Sequence, residues 1–192
     1  MQKQTIQFVR GLVLIPFLTT GSPLAMLQKT NIPTAQTAGK GFLTMLVSQT
    51  PGSASSDTEE VDALRKERAG KIDAYYAKRN MPLEGYGMKM VLEAEKNDLD
   101  WRLLPALAIR ETTGGKFACH NNPFGWGSCK IKFEHWDEAI ETVARSLGGN
   151  NPSTEKYYKG KTTEEKLAYY NSVIPAYTEE IFEFMDLIDQ GK

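Results

Sequence analysis

The chain has 192 residues, of which 41% are hydrophobic and 24% are charged, a balance that is typical of a globular protein. This composition excludes a mostly disordered chain, a collagen-like fibre and a polytopic membrane protein. A net charge of −1 argues against nucleic acid as a partner, because binding to a phosphate backbone requires a surplus of basic side chains. Two cysteines are too few for a disulfide-stapled miniprotein.

The distribution of charge separates an N-terminal tail from the rest of the chain. Residues 1–56 contain four basic side chains and no acidic one, whereas residues 57–192 contain 19 basic and 24 acidic side chains, a net charge of −5. The tail begins with a basic segment, followed by an apolar stretch at 11–18 and small residues at 19–25, which is the order of a secretory signal. We predict a signal peptide or membrane anchor at 1–27, a flexible linker at 28–56 and an extracytoplasmic location.

Residues 57–192 are predicted to form one mainly α-helical domain, because they contain no alternating strand pattern and no Asn-Gly hairpin signal. Apolar spacing and capping signals predict six helices in chain order: residues 57–79, a second helix opened by Pro82, then 103–111, 136–147, 163–170 behind a Thr162–Glu165 capping box, and a last helix from Pro175 to about residue 189. The interval 113–135 lacks a helix signal, and its aromatic residues argue against disorder.

The third predicted helix carries the candidate for catalysis. On a helix, Glu111 shares one face with three apolar residues, Leu104, Leu107 and Ala108. We expect this face to point into the core, with Arg110 pointing outward. Burial and the negative end of the helix dipole would both raise the pKa of the Glu111 carboxyl, and a carboxylic acid that stays protonated near neutral pH suits general acid catalysis.

The same carboxylate also suits a structural role, in which it caps loop amides or pairs with Lys116. The loop that follows it favours a ligand site. Asn122, Phe124 and Trp126 place aromatic rings beside amide groups on a glycine-rich backbone, and sugars, with flat apolar faces edged by hydroxyls, fit such surroundings. The alternative is that the loop aromatics only fill the core.

Two segments, 108–115 (AIRETTGG) and 122–126 (NPFGW), resemble the bacterial glucosaminidase family of peptidoglycan hydrolases. They are also similar to the wider lysozyme-like superfamily, which includes endo-β-N-acetylglucosaminidases and lytic transglycosylases. Thr112 stands where the transglycosylases carry Ser, and Trp126 where the glucosaminidases often carry an aliphatic residue. The segment Tyr169–Asn171 is similar to a Tyr-Asn element that lines the transglycosylase cleft.

The resemblance implies a lysozyme-like catalytic domain that cleaves the β-1,4 glycan strands of the cell wall. It implies Glu111 as the catalytic acid and Asn122, Phe124, Trp126 and Tyr170 as residues that bind the glycan. The expected partner is peptidoglycan, the expected state is a monomer, and no cofactor or metal is expected. A lytic transglycosylase or muramidase on the same fold, a glycan-binding wall protein without turnover and a helical domain that binds another partner remain alternatives.

Glycosidases commonly use a second carboxylate, and Glu134, Asp137 and Glu138 are the nearest candidates by sequence. Their alternative role is to place negative charge at the start of the fourth helix. Without a second carboxylate, the acetamido group of the substrate or the 6-hydroxyl of its sugar could attack the anomeric carbon.

Cys119 and Cys129 bracket the aromatic loop, and in an exported protein we expect them to form a disulfide that makes this loop rigid. Two other uses of the thiols are a zinc site completed by His120 and His135, and a Cys–His nucleophile. The spacing matches no familiar zinc motif, and the paired thiols are the favoured prediction.

Overall fold

The computed structural model describes residues 54–192, and the side chains from residue 57 onward. The signal peptide or anchor predicted at 1–27 lies outside these residues, as does the predicted linker except for its last three residues, which belong to the first helix. The helices are α1 (Ala54–Lys78), α2 (Gly87–Lys96), α3 (Leu103–Thr112), α4 (Trp136–Leu147), α5 (Glu155–Tyr158), α6 (Thr163–Tyr170) and α7 (Tyr177–Asp189), with a 3₁₀ turn at Trp126–Cys129.

The described part of the chain is mainly helical, as predicted, and contains no strand; its only β-type pairing is an isolated bridge between Cys119 and Asn122. None of its helices is both long and apolar enough to span a membrane. The predicted helices 103–111, 136–147 and 163–170 match α3, α4 and α6 within one residue. The predicted capping box is present, with the Glu165 amide donating to Thr162 Oγ1 and the Thr162 amide donating to the Glu165 carboxylate.

The second helix does not begin at Pro82, as was expected from the sequence. Pro82 lies in a series of turns, and α2 begins at Gly87. The backbone amides of Gly85 and Gly87 both donate to Asp73 Oδ1 on α1, each at a distance of 2.9 Å. A side chain on α1 therefore holds the chain in a turn before α2 begins. The start of a helix here depends on a neighbouring helix rather than on proline.

The last helix also begins later than expected, at Tyr177 rather than beside Pro175. Asn171 Oδ1 accepts the amides of Val173 at 3.1 Å and of Ile174 at 3.2 Å, which holds the preceding segment in a turn. The short helix α5 and the 3₁₀ turn had no counterpart among the predicted helices.

Helix α3 is the centre of the domain. Every residue from Leu103 to Ile109 is buried, so the helix is covered on all sides rather than on one face. It packs against α2 and α7, and α1 and α4 pack against α2. Pro105 is accommodated in the first turn of α3, and its carbonyl oxygen accepts a hydrogen bond from the hydroxyl of Tyr76, a fully buried residue of α1. The largest fully buried side chains in the core are those of Tyr76, Tyr177, Phe124, Ile72, Leu83, Met90, Leu103, Leu104, Leu107, Ile140, Leu147 and Leu167.

The C-terminal end of α3 is fixed by its contact with the turn before α2. Thr113 ends the helix in the left-handed conformation, and Gly114 follows with φ of +62°. The carbonyl oxygen of Gly114 accepts the Leu83 amide at 3.1 Å. A Cβ atom at position 114 would lie 2.7 Å from Met81 Cβ, so the backbone and the side chain of Met81 leave no space for a larger residue.

Replacing Gly114 by Ala should therefore destabilise the domain by roughly 2–4 kcal/mol, through backbone strain and through collision with Met81. Gly160 is a matched control, since its φ is +67° but no atom lies within 4 Å of the place that a Cβ would occupy. Gly160→Ala should cost only the backbone strain, about 1 kcal/mol. Urea denaturation of both variants measures the difference, and equal losses would contradict the packing argument.

Candidate active site

Glu111 lies in the last turn of α3 and is partly buried. Its Oε1 atom accepts a hydrogen bond of 2.6 Å from the hydroxyl of Tyr177, the first residue of α7. Lys116, the lysine considered above as a partner for Glu111, instead donates to the carbonyl oxygen of Arg79 at 2.8 Å. The carboxyl group of Glu111 is therefore held by a neutral donor from a distant part of the chain.

Burial raises the pKa of Glu111 above its ordinary value of 4.5. The hydrogen bond from Tyr177 and the positive charge of Arg110 act in the opposite direction, but burial is the largest effect. The Tyr177 hydroxyl is itself buried beside a carboxylate, so its pKa is raised and it remains a neutral hydrogen-bond donor. These surroundings favour the protonated form of Glu111 more than solvent does.

The second oxygen of Glu111 faces the aromatic loop. A Cβ atom at Gly125 would lie 3.3 Å from Glu111 Oε2, and Gly125 adopts a φ of +61°. The absence of a side chain here lets the loop backbone approach the carboxyl group. Oε2 is thus the oxygen that lies beside the loop, while Oε1 is occupied by Tyr177.

Buried polar contacts hold the loop in place. Asn122 is fully buried. Its side-chain Nδ2 donates to the backbone carbonyl oxygen of Trp126 at 2.7 Å, and its Oδ1 accepts a hydrogen bond from the backbone N–H of Trp126 at 2.9 Å. Thr112 is also buried, and its hydroxyl donates to the carbonyl oxygen of Pro123 at 2.7 Å. Because side chains satisfy these buried backbone groups, the loop is a constrained part of the structure rather than a loose connection.

The predicted disulfide is present between Cys119 and Cys129, whose Cα atoms are 6.0 Å apart. It closes the loop that contains the Asn-Pro-Phe-Gly-Trp segment. Neither the zinc site nor the Cys–His nucleophile fits this arrangement, because both thiols are consumed and the described residues contain no free cysteine. The same residues hold no group of three or more His, Cys, Asp or Glu side chains that could bind a metal ion.

Two of the residues expected to hold sugar rings are buried. Phe124 is 1% exposed and Asn122 is 0% exposed, so the expectation that their side chains contact a glycan does not fit the structure. The ring of Phe124 belongs to the core, and the amide of Asn122 is fully used in holding the loop. Within this segment, only Gly125 and Trp126 are partly exposed.

The structure does bring Trp126 and Tyr170 close to Glu111. The two rings lie 5.7 Å apart between their centroids and are both partly exposed. The hydroxyl of Tyr170 donates to the carbonyl oxygen of Phe124 at 2.6 Å, and the ring of Tyr170 stacks on that of Tyr177 at 6.0 Å. These two predicted residues, unlike Asn122 and Phe124, are partly exposed and lie near the acid.

The three acidic residues proposed as a second carboxylate lie at the start of α4 and are all exposed. Glu138 accepts the amide of Glu134 at 2.8 Å, and Asp137 and Glu138 occupy the first turn of α4. This placement favours their alternative role as negative charges at a helix N-terminus.

An open depression of about 580 Å³ lies elsewhere on the surface and includes none of the residues around Glu111. It is lined by Pro152, Ser153, Glu155, Lys156 and Lys159.

Three residues around the acid were not predicted from the sequence. Tyr177 and Glu180 lie on α7, and Arg110, expected to point outward to solvent, is paired with Glu180. The guanidinium carbon of Arg110 also lies 5.6 Å from the centroid of the Tyr177 ring. Arg110 and Glu180 are 70 positions apart in the chain, and Glu111 and Tyr177 are 66 positions apart. Because the contacts join such distant positions, no local motif marks these residues.

Comparisons with protein-family models, with curated proteins and with solved structures find no match to this chain. The functional assignment therefore depends on the geometry of the site.

The disulfide should stabilise the domain by roughly 2–3 kcal/mol, since it closes a ten-residue loop that would be free in the unfolded chain. A variant with both Cys119→Ser and Cys129→Ser should lose this amount in urea denaturation. Reductant should produce the same loss in the parent protein and no further loss in the double variant. A reductant effect of equal size on both proteins would contradict the assignment.

Burial of Glu111 also predicts how stability depends on pH. Because the folded-state pKa is raised, the contribution of Glu111 is fully present below its ordinary value of 4.5 and is lost as the pH rises through the raised pKa. The stability of Glu111→Gln relative to the parent protein should therefore be higher at pH 8 than at pH 4. The difference should be about 1.4 kcal/mol for each unit by which folding raises the pKa of Glu111. Glu59→Gln, an exposed position on α1, provides the control in denaturation at both pH values.

Proposed function

We propose that this protein is a glycoside hydrolase of the lysozyme-like type that cleaves the β-1,4 glycan strands of peptidoglycan, with Glu111 as the general acid. The observation that carries the proposal is the environment of one carboxyl group. Glu111 is partly buried at the end of a core helix, is held at Oε1 by Tyr177 and has its Oε2 beside a glycine of the aromatic loop. The resemblance of segments 108–115 and 122–126 to peptidoglycan glucosaminidases supports the same function.

In the proposed reaction, the proton of Glu111 is transferred from Oε2 to the glycosidic oxygen as the bond to the anomeric carbon breaks. The leaving sugar departs as an alcohol, and Glu111 becomes a carboxylate that the Tyr177 hydroxyl stabilises by donating to Oε1. Burial favours the protonated acid before the reaction, and the hydrogen bond from Tyr177 lowers the cost of its charge afterwards. Glu111 then recovers a proton from the hydroxyl group or the water molecule whose oxygen ends up bonded to the anomeric carbon.

The exposed parts of Trp126 and Tyr170 supply apolar surfaces for sugar rings beside the acid. Asn122 and Phe124 act indirectly, by holding the backbone of the loop in position. The backbone of Gly125 lies beside the carboxyl group, and we propose that its carbonyl or amide group contacts a sugar hydroxyl or acetamido group.

A mechanism with a single protein carboxylate fits this site best. Among the described residues, the groups that influence the pKa of Glu111 are Tyr177 and Arg110, and neither is a carboxylate. Glu180, the acidic residue three positions after Tyr177 on α7, forms a salt bridge with Arg110. We therefore propose that the attacking group comes from the substrate, as its acetamido oxygen or its 6-hydroxyl. Attack by the acetamido oxygen gives a cyclic oxazolinium ion, which water then opens to the reducing sugar and the free acetamido group. Attack by the 6-hydroxyl yields an anhydro product.

The proposed location is outside the cytoplasm, in the cell envelope or the medium. The Cys119–Cys129 disulfide is compatible with such a location, because disulfides persist in oxidising compartments. The predicted N-terminal signal, which lies outside the described residues, points the same way.

Glu111→Gln should reduce hydrolysis of purified sacculi by about 100- to 10,000-fold while binding to sacculi is retained, because the amide keeps the shape of the side chain but has no proton to transfer. Glu59→Gln should digest sacculi at the parental rate. Release of soluble fragments measures the activity, and co-sedimentation measures the binding.

Mass spectrometry of the released fragments then identifies the bond. Reducing-end GlcNAc indicates a glucosaminidase, reducing-end MurNAc a muramidase and anhydro-MurNAc a lytic transglycosylase. A parent protein that binds sacculi but releases nothing would be a glycan-binding wall protein, and a protein that does not bind sacculi would contradict the proposal altogether.

A further inference from the structure

Two adjacent residues of α3 are each held by α7. Glu111 accepts the hydrogen bond from Tyr177, and Arg110 forms a salt bridge through Nε with the Oε2 atom of Glu180. Tyr177 and Glu180 lie three positions apart on α7 and therefore on the same face of that helix. The end of α3 thus presents a carboxyl group and a guanidinium group side by side, and α7 supplies a separate partner for each.

The position of the Arg110 guanidinium is restricted from two sides. Its carbon lies 5.6 Å from the centroid of the Tyr177 ring, and its Nε atom is bound to Glu180. The Tyr177 ring also stacks on Tyr170, with 6.0 Å between centroids and 14° between planes. Tyr177 therefore lies against both Tyr170 and Arg110 while its hydroxyl donates to Glu111.

A free arginine at position 110 would be a competitor for the acid. Arginine binds carboxylates in bidentate fashion and strongly favours their ionised form. A salt bridge between Arg110 and Glu111 would leave a carboxylate that cannot donate a proton. In the structure the guanidinium instead has Glu180 as its carboxylate partner, and its positive charge lowers the pKa of Glu111 less than burial raises it.

We propose that Glu180 is a positioning residue for the acid: it binds the Arg110 guanidinium against the Tyr177 ring and so prevents Arg110 from pairing with Glu111. This inference rests on the proposed function, because it assigns Glu180 a role in keeping Glu111 protonated. The other groups that face Glu111 are the hydroxyls of Tyr170 and Tyr177, whose pKa values are raised by burial, so both remain neutral through the pH range of interest.

The two halves of this salt bridge should affect Glu111 in opposite directions. Glu180→Gln removes a negative charge and releases Arg110, so the pKa of Glu111 should fall by about one unit. Arg110→Gln removes the positive charge and leaves Glu180 unpaired, so the pKa of Glu111 should rise by a similar amount. The double variant lacks the guanidinium that Glu180→Gln releases, so its Glu111 pKa should not fall below the parental value.

The pKa of Glu111 is measured directly in the full chain by NMR titration of its ¹³C-labelled side-chain carboxyl carbon, assigned by comparison with Glu111→Gln. This measurement needs no substrate, so it reports on Glu180 even if the protein does not hydrolyse peptidoglycan. If the protein does hydrolyse it, the basic limb of the pH–activity profile should move to lower pH in Glu180→Gln and to higher pH in Arg110→Gln.

A purely structural role for the salt bridge predicts a different result. Both single variants would then lose stability, and neither would change the pKa of Glu111 in a charge-dependent direction. Shifts of the same sign in the two single variants, or no shift in either, would overturn the proposal. Both side chains are partly exposed, at 27% for Arg110 and 39% for Glu180, and if one single variant does not fold, the sign of the shift in the other decides.

Discussion

The hydrogen bond between Tyr177 and Glu111 is the contact on which the candidate site depends. It joins the end of the central helix α3 to the start of α7, across 66 positions of sequence. A partly buried carboxyl group needs a donor, because an unpaired one loses its hydration without compensation. A tyrosine hydroxyl meets this need without adding a positive charge. An arginine or lysine in its place would favour the carboxylate much more strongly and would remove the proton that an acid must transfer.

The surroundings of this bond are organised around the Tyr177 ring. Tyr170 stacks on it at 6.0 Å, and Arg110 lies near it at 5.6 Å while being bound to Glu180. Three helices, α3, α6 and α7, therefore meet at one aromatic ring, and each contributes a residue to the environment of the acid. The carboxyl group is oriented by packing between helices rather than by a flexible segment, which is the condition for a well-defined catalytic geometry.

The loop from 113 to 135 contributes shape rather than charged groups. Its disulfide, the buried amide of Asn122 and the buried hydroxyl of Thr112 all act on the backbone, and together they hold Gly125 beside Glu111. The aromatic residues of the loop divide between two roles. Phe124 fills the core, whereas Trp126 stays partly exposed next to Tyr170. A loop built in this way keeps its backbone in place beside Glu111 through side chains that are themselves buried.

Local features of the sequence were sufficient to predict much of the domain. The bounds of α3, α4 and α6 follow from apolar spacing and from a capping box, which act within a few residues of chain. The disulfide follows from two cysteines that bracket one short loop. The position of Glu111 at the end of an apolar face likewise follows from helical periodicity alone.

Only the tertiary structure decided the surroundings of that carboxyl group. Whether Phe124 faces a ligand or the core depends on how the loop packs, and Arg110 is drawn from solvent to α7 by Glu180, 70 positions away. The starts of α2 and α7 were also set by side chains that take up backbone amides, Asp73 from another helix and Asn171 from the preceding turn. Periodicity reports which face of a helix is apolar, but it carries no information on which distant residue will meet that face, and this is why Tyr177 could not be found from the sequence.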